Sequence, residues 1–295
     1  MKKILAVSGG VDSMVLLDIF YKKEPENILV AHFNHGTRDS ADLDMTFVEN
    51  KCKNLKIPFE YSKLILGEGV SEEEARQKRY EFLYHVANKY HGIIYTAHHL
   101  DDMIESVAIN LIRGTGWRGL TPFGNSKIKR PLVELGYFKQ DILRYAAVNQ
   151  IKFRQDPTNY SDNYLRNRIR ERLKECSLDL RKMIIEKCLE QREIREQIES
   201  LNFEICNRLL INDTYNKQEV DSSSSLKFRK DFFIKEDEVV LVEEILRYIC
   251  LKKSIALTRP QLDDFIYAIK TYKTNKKFNL PKDKMAVIGR DFVTL

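Results

Sequence analysis

The stretch "ILAVSGGVDSMVLLDIF", residues 4–20, decides the fold class of the first half of the chain. Its four leading apolar residues predict a buried β-strand, SGGVDS (8–13) predicts a turn, and "MVLLDIF" has the apolar spacing of a helix. A glycine turn between a strand and a helix has the outline of a phosphate-binding loop, although the lysine that such loops carry after the second glycine is missing. The alternative is an ordinary turn in which glycine supplies only backbone freedom.

Strand-like and helix-like segments continue to alternate over the first 155 residues. Further strands are predicted at 28–33, 58–62 and 92–99, and helices at 13–22, 40–55 and 72–90. This alternation predicts an α/β fold, a parallel sheet with helices on both faces. Ligands of such sheets bind at the carboxyl ends of the strands, where three polar clusters lie: Ser8-Gly9-Gly10, His32 to His35, and His98-His99.

The second part of the chain is predicted to be smaller and mainly helical. From about residue 178, apolar residues recur at intervals of mostly three or four, which indicates one long helix. A polar linker, two helices and a hairpin-like tail are predicted after it, at 212–225, 237–251, 258–272 and 277–295. We therefore predict a catalytic domain, a long helix with its linker, and a small carboxyl-terminal domain, over 1–180, 181–225 and 226–295.

Composition narrows the class of protein. No apolar run approaches the ~20 residues that span a bilayer, so we expect no membrane partner. The five cysteines are far apart and form no CxxC pair, which argues against a disulfide framework, a zinc site or an iron–sulfur cluster and favours a cytoplasmic location. The net charge of +6 makes an anionic partner plausible, and nucleic acid is the leading candidate.

The loop and one later helix carry residues suited to phosphate and metal chemistry. Backbone N–H groups of residues 8–13 begin a helix and favour phosphate, while Asp12 suits a metal that bridges phosphate oxygens. Asp102 and Glu105 are spaced i, i+3 on a helix that starts at a strand end, so both carboxylates can face one site. They suit an amine or a Mg²⁺, and either could instead serve as general base. Asp101 could instead point outward and complement the helix dipole.

Several stretches together resemble one family. SGGVDS resembles the pyrophosphate loop of the N-type ATP pyrophosphatases, which split ATP between its α and β phosphates and adenylate a substrate. Within that group, the motifs are similar to those of the tRNA(Ile)-lysidine synthetases. They are AHFNHGTRDSADLDMTFV (31–48), SEEEARQKRYEFL (71–83), TAHHLDDMIESVAINLIRGTGWRGL (96–120), KRPLVEL (129–135), DPTN (156–159) and YLRNRIRERL (164–173). The match extends to about residue 175, and Ser106 departs from the family's usual Thr.

The resemblance implies a fold, a reaction and a set of partners. It implies a Rossmann-like fold of the adenine nucleotide alpha hydrolase type, and ATP and Mg²⁺ as cofactors. The implied reaction adenylates the wobble cytidine of the CAU-anticodon tRNA(Ile) and joins free L-lysine to its carbon 2. Many members carry a further β-rich carboxyl-terminal domain, and the chain resembles a short form without it. We keep a homodimer as one assembly that the chain could form.

The resemblance also implies site residues. The implied catalytic residues are Asp12, Arg76, Arg79, His98, Asp102, Glu105 and Arg170. The implied nucleotide-binding residues are Ser8, Gly9, Gly10, Val11, Asp12, Ser13, His32, Asn34, Arg113 and Gly114. Asp12 and Asp102 are the implied metal ligands.

Alternative interpretations remain open for several of these residues. Arg76 and Arg79 could be an exposed charged face, and Arg113 a solvated cation at a helix end. His32 and His35 have a metal-like spacing, although a nucleotide pocket wall is preferred because cysteine and a third ligand are missing. The arginines of 166–172 could form a stripe that binds phosphates or a solvated helix face.

Three other functions compete with lysidine synthesis. A tRNA thiolase would depend on paired cysteines, which the sequence does not have. An amidotransferase-linked synthetase would need a glutaminase domain as well. A catalytically inactive RNA-binding module would not need SGGVDS, Asp102 and Glu105, all of which are present.

Overall fold

The computed structural model describes residues 1–34, 41–63, 72–123, 128–154, 165–211, 225–273 and 275–295. These residues form two compact units, Met1–Arg192 and Glu193–Leu295. The division into 1–180, 181–225 and 226–295 stays a prediction, and all but the last residue of the predicted linker lies outside the described residues.

The first unit is built on a five-stranded parallel sheet. Its strands are β1 (Lys3–Ala6), β2 (Ile28–Asn34), β3 (Phe59–Lys63), β4 (Ile93–Tyr95) and β5 (Ile128–Lys129). Their order across the sheet is β3-β2-β1-β4-β5, and every neighbouring pair is parallel. The chain order reverses at β1, so that the crevice for ligands is expected at the carboxyl end of this central strand.

Helices pack on both faces of this sheet. The helices up to residue 209 are α1 (Val11–Lys23), α2 (Ala41–Leu55), α3 (Glu72–Lys89), α4 (Leu100–Ile112), α5 (Pro131–Glu134), α6 (Lys139–Val148), α7 (Leu165–Glu175) and α8 (Leu178–Leu209). α7 and the first turns of α8 share a core with α4, and the residues of α8 from Glu193 on belong to the second unit. Successive residues of β1 point to opposite faces: Leu5 packs in one core with residues of α1, α2 and α6, whereas Ile4 packs in another with residues of α3. The predicted α/β class and its two-sided helical cover are therefore confirmed.

One strand is much shorter than its sequence pattern. The run 92–99 predicts a strand, but β4 ends at Tyr95. The Thr96 N–H still donates to the Lys129 carbonyl at 3.0 Å, and His99 is already the N-cap of α4. The two polar residues before α4, His98 and His99, therefore do not form part of the strand.

The second unit combines helices with a small antiparallel sheet. Its sheet has four strands in the order β6-β9-β8-β7, namely β6 (Lys227–Arg229), β7 (Lys276–Leu280), β8 (Lys284–Ile288) and β9 (Phe292–Thr294). The helices α9 (Asp231–Lys235), α10 (Val239–Lys252) and α11 (Arg259–Thr271) pack on a core that includes Phe228, Phe233 and Phe265. The predicted helices and hairpin are present, and the sheet has two strands more than the hairpin. No helix in the described ranges is long and apolar enough to cross a membrane.

Candidate active site

The glycine loop follows β1 at the carboxyl edge of the sheet, and its shape is set by internal hydrogen bonds. Ser13 Oγ accepts the backbone N–H groups of Ser8 and Gly9, each at 3.2 Å, and donates to the Gly10 carbonyl at 2.9 Å. Gly9 has a φ of +95°, a conformation that favours glycine. The Gly9 carbonyl accepts the Arg154 N–H at 2.9 Å, which links the loop to a distant segment. The loop is thus a defined structure rather than a loose turn.

Asp12 in this loop is paired with a lysine from the start of α6. Lys139 Nζ donates to Asp12 Oδ1 at 2.6 Å and to Oδ2 at 2.8 Å. Lys139 is the first residue of α6, and its backbone N–H donates to Asp101 Oδ2 at 2.7 Å. The chain therefore places a lysine beside the loop from a position 127 residues later.

His99 lies among three carboxylates. Its Nε2 is 4.0 Å from Asp12 Oδ1 and 3.6 Å from Asp102 Oδ2, and its Nδ1 is 3.6 Å from Asp101 Oδ2. The residue is buried, and Nδ1 makes no hydrogen bond within the described part of the chain. Asp101 is also buried, and its Oδ1 accepts from Arg181 Nη1 at 3.1 Å. Asp101 therefore points inward, and the outward orientation considered from the sequence does not occur.

Asp102 and Glu105 face the same arginine, as their i, i+3 spacing predicts. Arg170 Nε donates to Glu105 Oε1 at 2.7 Å, and Arg170 Nη2 is 3.8 Å from Asp102 Oδ1. Arg166 Nε lies 3.7 Å from Glu105 Oε2. Burial raises the pKa of Glu105, against the lowering effect of Arg170. Burial would also raise the pKa of Asp102, but the charges of His99, His98 and Arg170 and the His99 N–H lower it.

His98 lies just before α4, in an environment that includes three arginines. Its Nδ1 is 2.7 Å from Thr96 Oγ1, and its ring lies 5.2 Å from that of Phe123. Burial, assisted by the charges of Arg130, Arg79 and Arg76, lowers the pKa of His98 to about 4, although Asp102 opposes the shift. His98 is therefore a neutral imidazole at pH 7, able to accept a proton or a hydrogen bond.

The predicted Arg76 and Arg79 form part of a basic cluster around Tyr80. Their guanidinium carbons lie 5.3 and 5.4 Å from the centre of the Tyr80 ring. Burial lowers the pKa of Arg79, so the face is not simply a solvated one. Arg130, from the KRPLVEL motif, joins this cluster and lies 4.4 Å over the ring of Phe123. The cluster offers positive charge beside a neutral His98, an arrangement suited to phosphate or nucleotide.

Two other predicted nucleotide residues lie at the end of β2. His32 is buried, its Nδ1 donates to the Val7 carbonyl at 2.8 Å, and burial lowers its pKa. Asn34 is buried and donates to Asp42 Oδ1 at 2.8 Å. Both residues support the wall of the crevice next to the loop. His35, the DPTN motif at 156–159 and Ser71 of the third motif lie outside the described residues.

Arg113 and Gly114 occupy a more exposed position. Arg113 is the C-cap of α4, and Gly114 follows it with a φ of +67°, a conformation typical of the glycine that ends a helix. Both residues are exposed, and Gly116 is exposed as well. Their assignment to nucleotide binding stays a prediction.

The arginine-rich helix α7 presents two different faces. Arg166 and Arg170 contact the carboxylates of α4, whereas Arg168 and Arg172 are exposed. Lys174, one helical turn after Arg170, does not reach these carboxylates and pairs with the exposed Glu171 at 2.6 Å. One face of α7 therefore belongs to the site, and the opposite face is available to a polyanion.

The carboxylates are compatible with a magnesium ion without forming a complete cage. Asp12 and Asp102 approach the same nitrogen of His99, at 4.0 and 3.6 Å. Mg²⁺ is bound in proteins by one or two carboxylates together with water and substrate phosphates, which fits this donor set. Among the described residues, no group of three or more His, Cys, Asp or Glu side chains is arranged to hold a metal.

Five residues of the site are not among the site residues that the resemblance implies. They are His99, Arg130, Lys139, Arg154 and Arg181. The sequence places His99 at the ligand edge of the sheet but assigns no role to it. Lys139 and Arg181 carry no local signal, because they lie 38 and 80 residues from Asp101 and meet it only through the fold.

Comparison with known proteins places this site in a family. Residues 1–176 match the model of the PP-loop domain. The chain is 33% identical over 301 residues to the tRNA(Ile)-lysidine synthase of Mycoplasmopsis pulmonis, with 99% of this chain and 98% of the relative covered. It is 38% identical over 183 residues to the tRNA(Ile)-lysidine synthase of Petrotoga mobilis, with 57% of this chain and 58% of the relative covered.

The alignments with other relatives are shorter, and one solved structure shares the fold. The chain spans 44% of the length of the Thermotoga maritima tRNA(Ile)-lysidine synthase, at 37% identity over 180 residues and with 58% of this chain covered. The structure of the U34-tRNA thiolase NcsA from Methanococcus maripaludis superposes with a TM-score of 0.55 at 18% identity, covering 65% of this chain and 73% of that one. At this identity the likeness shows the fold alone. With a matching domain model and a full-length relative, the chain belongs to the PP-loop family and, within it, to the tRNA(Ile)-lysidine synthases.

Proposed function

We propose that the chain joins free L-lysine to carbon 2 of the wobble cytidine in the CAU anticodon of tRNA(Ile). The observation that carries the proposal is that Asp12 of the glycine loop and Asp102 of α4 both lie near the same nitrogen of His99. This supports a phosphate site and a cation site that are close together. The reaction needs this combination, because a nucleotide must be activated before an amine can attack.

In the first step, the cytidine carbonyl oxygen attacks the α-phosphate of ATP and pyrophosphate leaves. The loop of residues 8–13 is proposed to hold the departing pyrophosphate. Mg²⁺, when bound by Asp12 and Asp102, would neutralise charge on the phosphate oxygens. Arg76, Arg79 and His98 are proposed to hold the adenylated nucleotide, because they provide positive charge beside a neutral imidazole.

In the second step, the ε-amine of lysine attacks carbon 2, the C2–O bond breaks, and AMP leaves with the oxygen. The ammonium group of lysine must lose a proton before it can attack. Glu105 is proposed as the proton acceptor, because burial raises its pKa and makes it the more basic carboxylate. Arg170 donates to Glu105 and lies close to Asp102. The same two carboxylates would also favour the ammonium group of the lysine substrate.

The tRNA is proposed to lie along the exposed face of α7, through Arg168 and Arg172. A homodimer, a cytoplasmic location and the absence of a membrane partner stay predictions.

A thiolase acting on the same kind of substrate has less support. Four cysteines are buried, namely Cys52, Cys188, Cys206 and Cys250. Burial raises the pKa of Cys52 to about 12, which suppresses the reactive thiolate.

The test is incorporation of labelled lysine into tRNA. The protein is incubated with ATP, Mg²⁺, labelled L-lysine and a tRNA(Ile) transcript with the CAU anticodon. A transcript with a GAU anticodon, which lacks the wobble cytidine, is the control. Label in the first RNA alone is the expected result, and a folded protein that labels neither RNA would refute the proposal.

A further inference from the structure

We infer that Lys139 supplies the cation that the glycine loop lacks, and that its ammonium group binds the β- and γ-phosphates of ATP and the pyrophosphate released from them. The inference rests on the proposed function, in which the loop holds pyrophosphate. It assigns to a residue 127 positions downstream of Asp12 the role that a lysine within the loop has in other phosphate-binding loops.

Part of the loop's donor capacity is used within the loop, and the N–H groups of Val11 to Ser13 at the start of α1 have no partner within the helix. The N–H groups of Ser8 and Gly9 already donate to Ser13 Oγ, and the Ser13 hydroxyl donates to the Gly10 carbonyl. Asp12 adds a negative charge in the same loop, which would repel a phosphate. A positive side chain beside Asp12 would offset this repulsion, in addition to any Mg²⁺ bound there.

Lys139 meets this need by its geometry. An ammonium group has three N–H donors, and two of them are directed at the Asp12 oxygens, at 2.6 and 2.8 Å. One donor remains for an oxygen of a ligand on the loop. The Lys139 side chain is 41% exposed, so a ligand can reach it.

The position of Lys139 is fixed by contacts that do not involve the ligand. Its N–H donates to Asp101 Oδ2, and Arg181 holds the other oxygen of Asp101. Along the rest of α6, Ile142 and Ala146 pack in the same core as α1, and the Tyr145 hydroxyl donates to Asp18 Oδ2 at 3.0 Å. Helix α6, which begins with Lys139, thus packs against α1, which follows the glycine loop.

The test compares the binding of three nucleotide-related ligands. Binding of ATP, inorganic pyrophosphate and AMP is measured by calorimetry for the wild type, Lys139→Met and Lys139→Arg. We expect Lys139→Met to weaken ATP and pyrophosphate by about tenfold to a hundredfold, with AMP within about twofold. We expect Lys139→Arg to recover most of the loss. Lys22→Met, which removes a lysine paired with Asp18 at the other end of α1, is the matched control and should change none of the three.

Two binding results would overturn the inference, and one labelling result would do so as well. The first is unchanged binding of pyrophosphate by Lys139→Met, and the second is an equal loss of ATP, pyrophosphate and AMP, which would indicate only damage to the crevice. A second measurement on the wild type guards against a misfolded variant: pyrophosphate, but not AMP, should protect Lys139 from an amine-reactive reagent. Equal labelling of Lys139 with and without pyrophosphate also counts against it.

These results are independent of lysine transfer. A protein that fails to label tRNA but depends on Lys139 for pyrophosphate would refute the proposed function and leave the inference standing. A protein that transfers lysine to tRNA but binds pyrophosphate equally well without Lys139 would support the proposed function and refute the inference.

Discussion

Arg181 at the start of α8 donates to Asp101 at the start of α4, with 3.1 Å between Nη1 and Oδ1. Arg181 also donates to the Cys176 carbonyl through Nε and Nη2, at 3.2 and 3.0 Å. The guanidinium therefore joins a buried carboxylate of the site to the turn between α7 and α8. Because Asp101 in turn accepts the Lys139 N–H, one ion pair stabilises the ends of three helices.

We predict that Asp101→Asn lowers the free energy of unfolding by about 2–3 kcal/mol, because it leaves the Arg181 charge without its buried partner. Urea unfolding monitored by circular dichroism measures the change. Lys187→Met is the control. It removes an exposed ion pair with Glu190 on the same helix α8 and should not change the midpoint of urea unfolding. Equal midpoints for Asp101→Asn and the wild type would contradict the structural role of this pair.

The two glycines of the loop should respond differently to the same substitution. Gly9→Ala is expected to cost about 1–2 kcal/mol of stability, because φ at this position is +95° and the new Cβ would lie 3.4 Å from Val48 Cγ2. Gly10→Ala should cost much less, since Gly10 has a φ of −73° and the nearest atom to its Cβ is Ser8 Oγ at 3.6 Å. Thermal unfolding of both variants checks the difference, and a larger loss for Gly10→Ala would disprove it.

His98 should make the protein less stable in mild acid. Its pKa is about 4 in the folded state against the ordinary value of 6.5, so the unfolded chain binds the additional proton between these two values. Stability from this group is fully present above pH 6.5 and is lost as the pH falls from there toward 4. We expect a loss of about 1–2 kcal/mol between pH 7 and pH 5.

The measurement is urea unfolding at pH 7 and pH 5 for the wild type and His98→Gln, which cannot titrate. The wild type should lose more stability than the variant over this interval. An identical dependence in the two proteins would show that His98 does not titrate with a lowered pKa.

Glu105→Gln should separate the two chemical steps. We expect lysine transfer to slow by roughly 10²- to 10⁴-fold, because the amide cannot accept the amine proton. Release of pyrophosphate from ATP in the presence of tRNA should persist, since adenylation does not use this carboxylate. Rapid-quench assays of both products test the separation.

Ser106→Thr is the control for that experiment. The Ser106 hydroxyl donates to the Asp102 carbonyl at 2.8 Å, and threonine can make the same bond. Both steps should remain within about twofold of the wild type in this variant. Retention of full lysine transfer by Glu105→Gln would remove the residue from the mechanism.

The exposed face of α7 should govern the affinity for tRNA and not for ATP. The double variant Arg168→Gln, Arg172→Gln is expected to bind tRNA more weakly and to lower the slope of log K against log salt by about 1 to 2. Filter binding over a salt series measures this slope. Lys187→Gln, which removes one exposed charge from α8, is the control, and an unchanged slope in the double variant would place the RNA elsewhere.

Much of the fold follows from local patterns, because the strands of a buried parallel sheet are continuous apolar runs. "ILVAHF" predicts a strand at 28–33, and β2 is Ile28–Asn34. The end of β4 could not be predicted from the local apolar pattern. Thr96 to His99 have strand-like neighbours, but the capping interaction of the His99 N–H with Asp102 Oδ2 at 2.9 Å starts a helix there.

The site residues also fall into two groups, those that local sequence spacing predicts and those that only the fold brings together. Asp102 and Glu105 could be placed together because helical geometry relates residues three apart. Lys139 and Arg154 could not, because each reaches the loop across more than a hundred residues, Lys139 through its side chain and Arg154 through its backbone N–H.

The hydrogen bonds of Ser13 have a thermodynamic consequence for any ligand of the loop. A single hydroxyl holds the N–H groups of Ser8 and Gly9 and the carbonyl of Gly10 in place. The conformational entropy of this segment is therefore lost when the chain folds and not when a ligand arrives. Anion binding here should show a small entropic penalty, and Ser13→Ala, which frees the N–H groups of Ser8 and Gly9, should make that penalty larger in calorimetry.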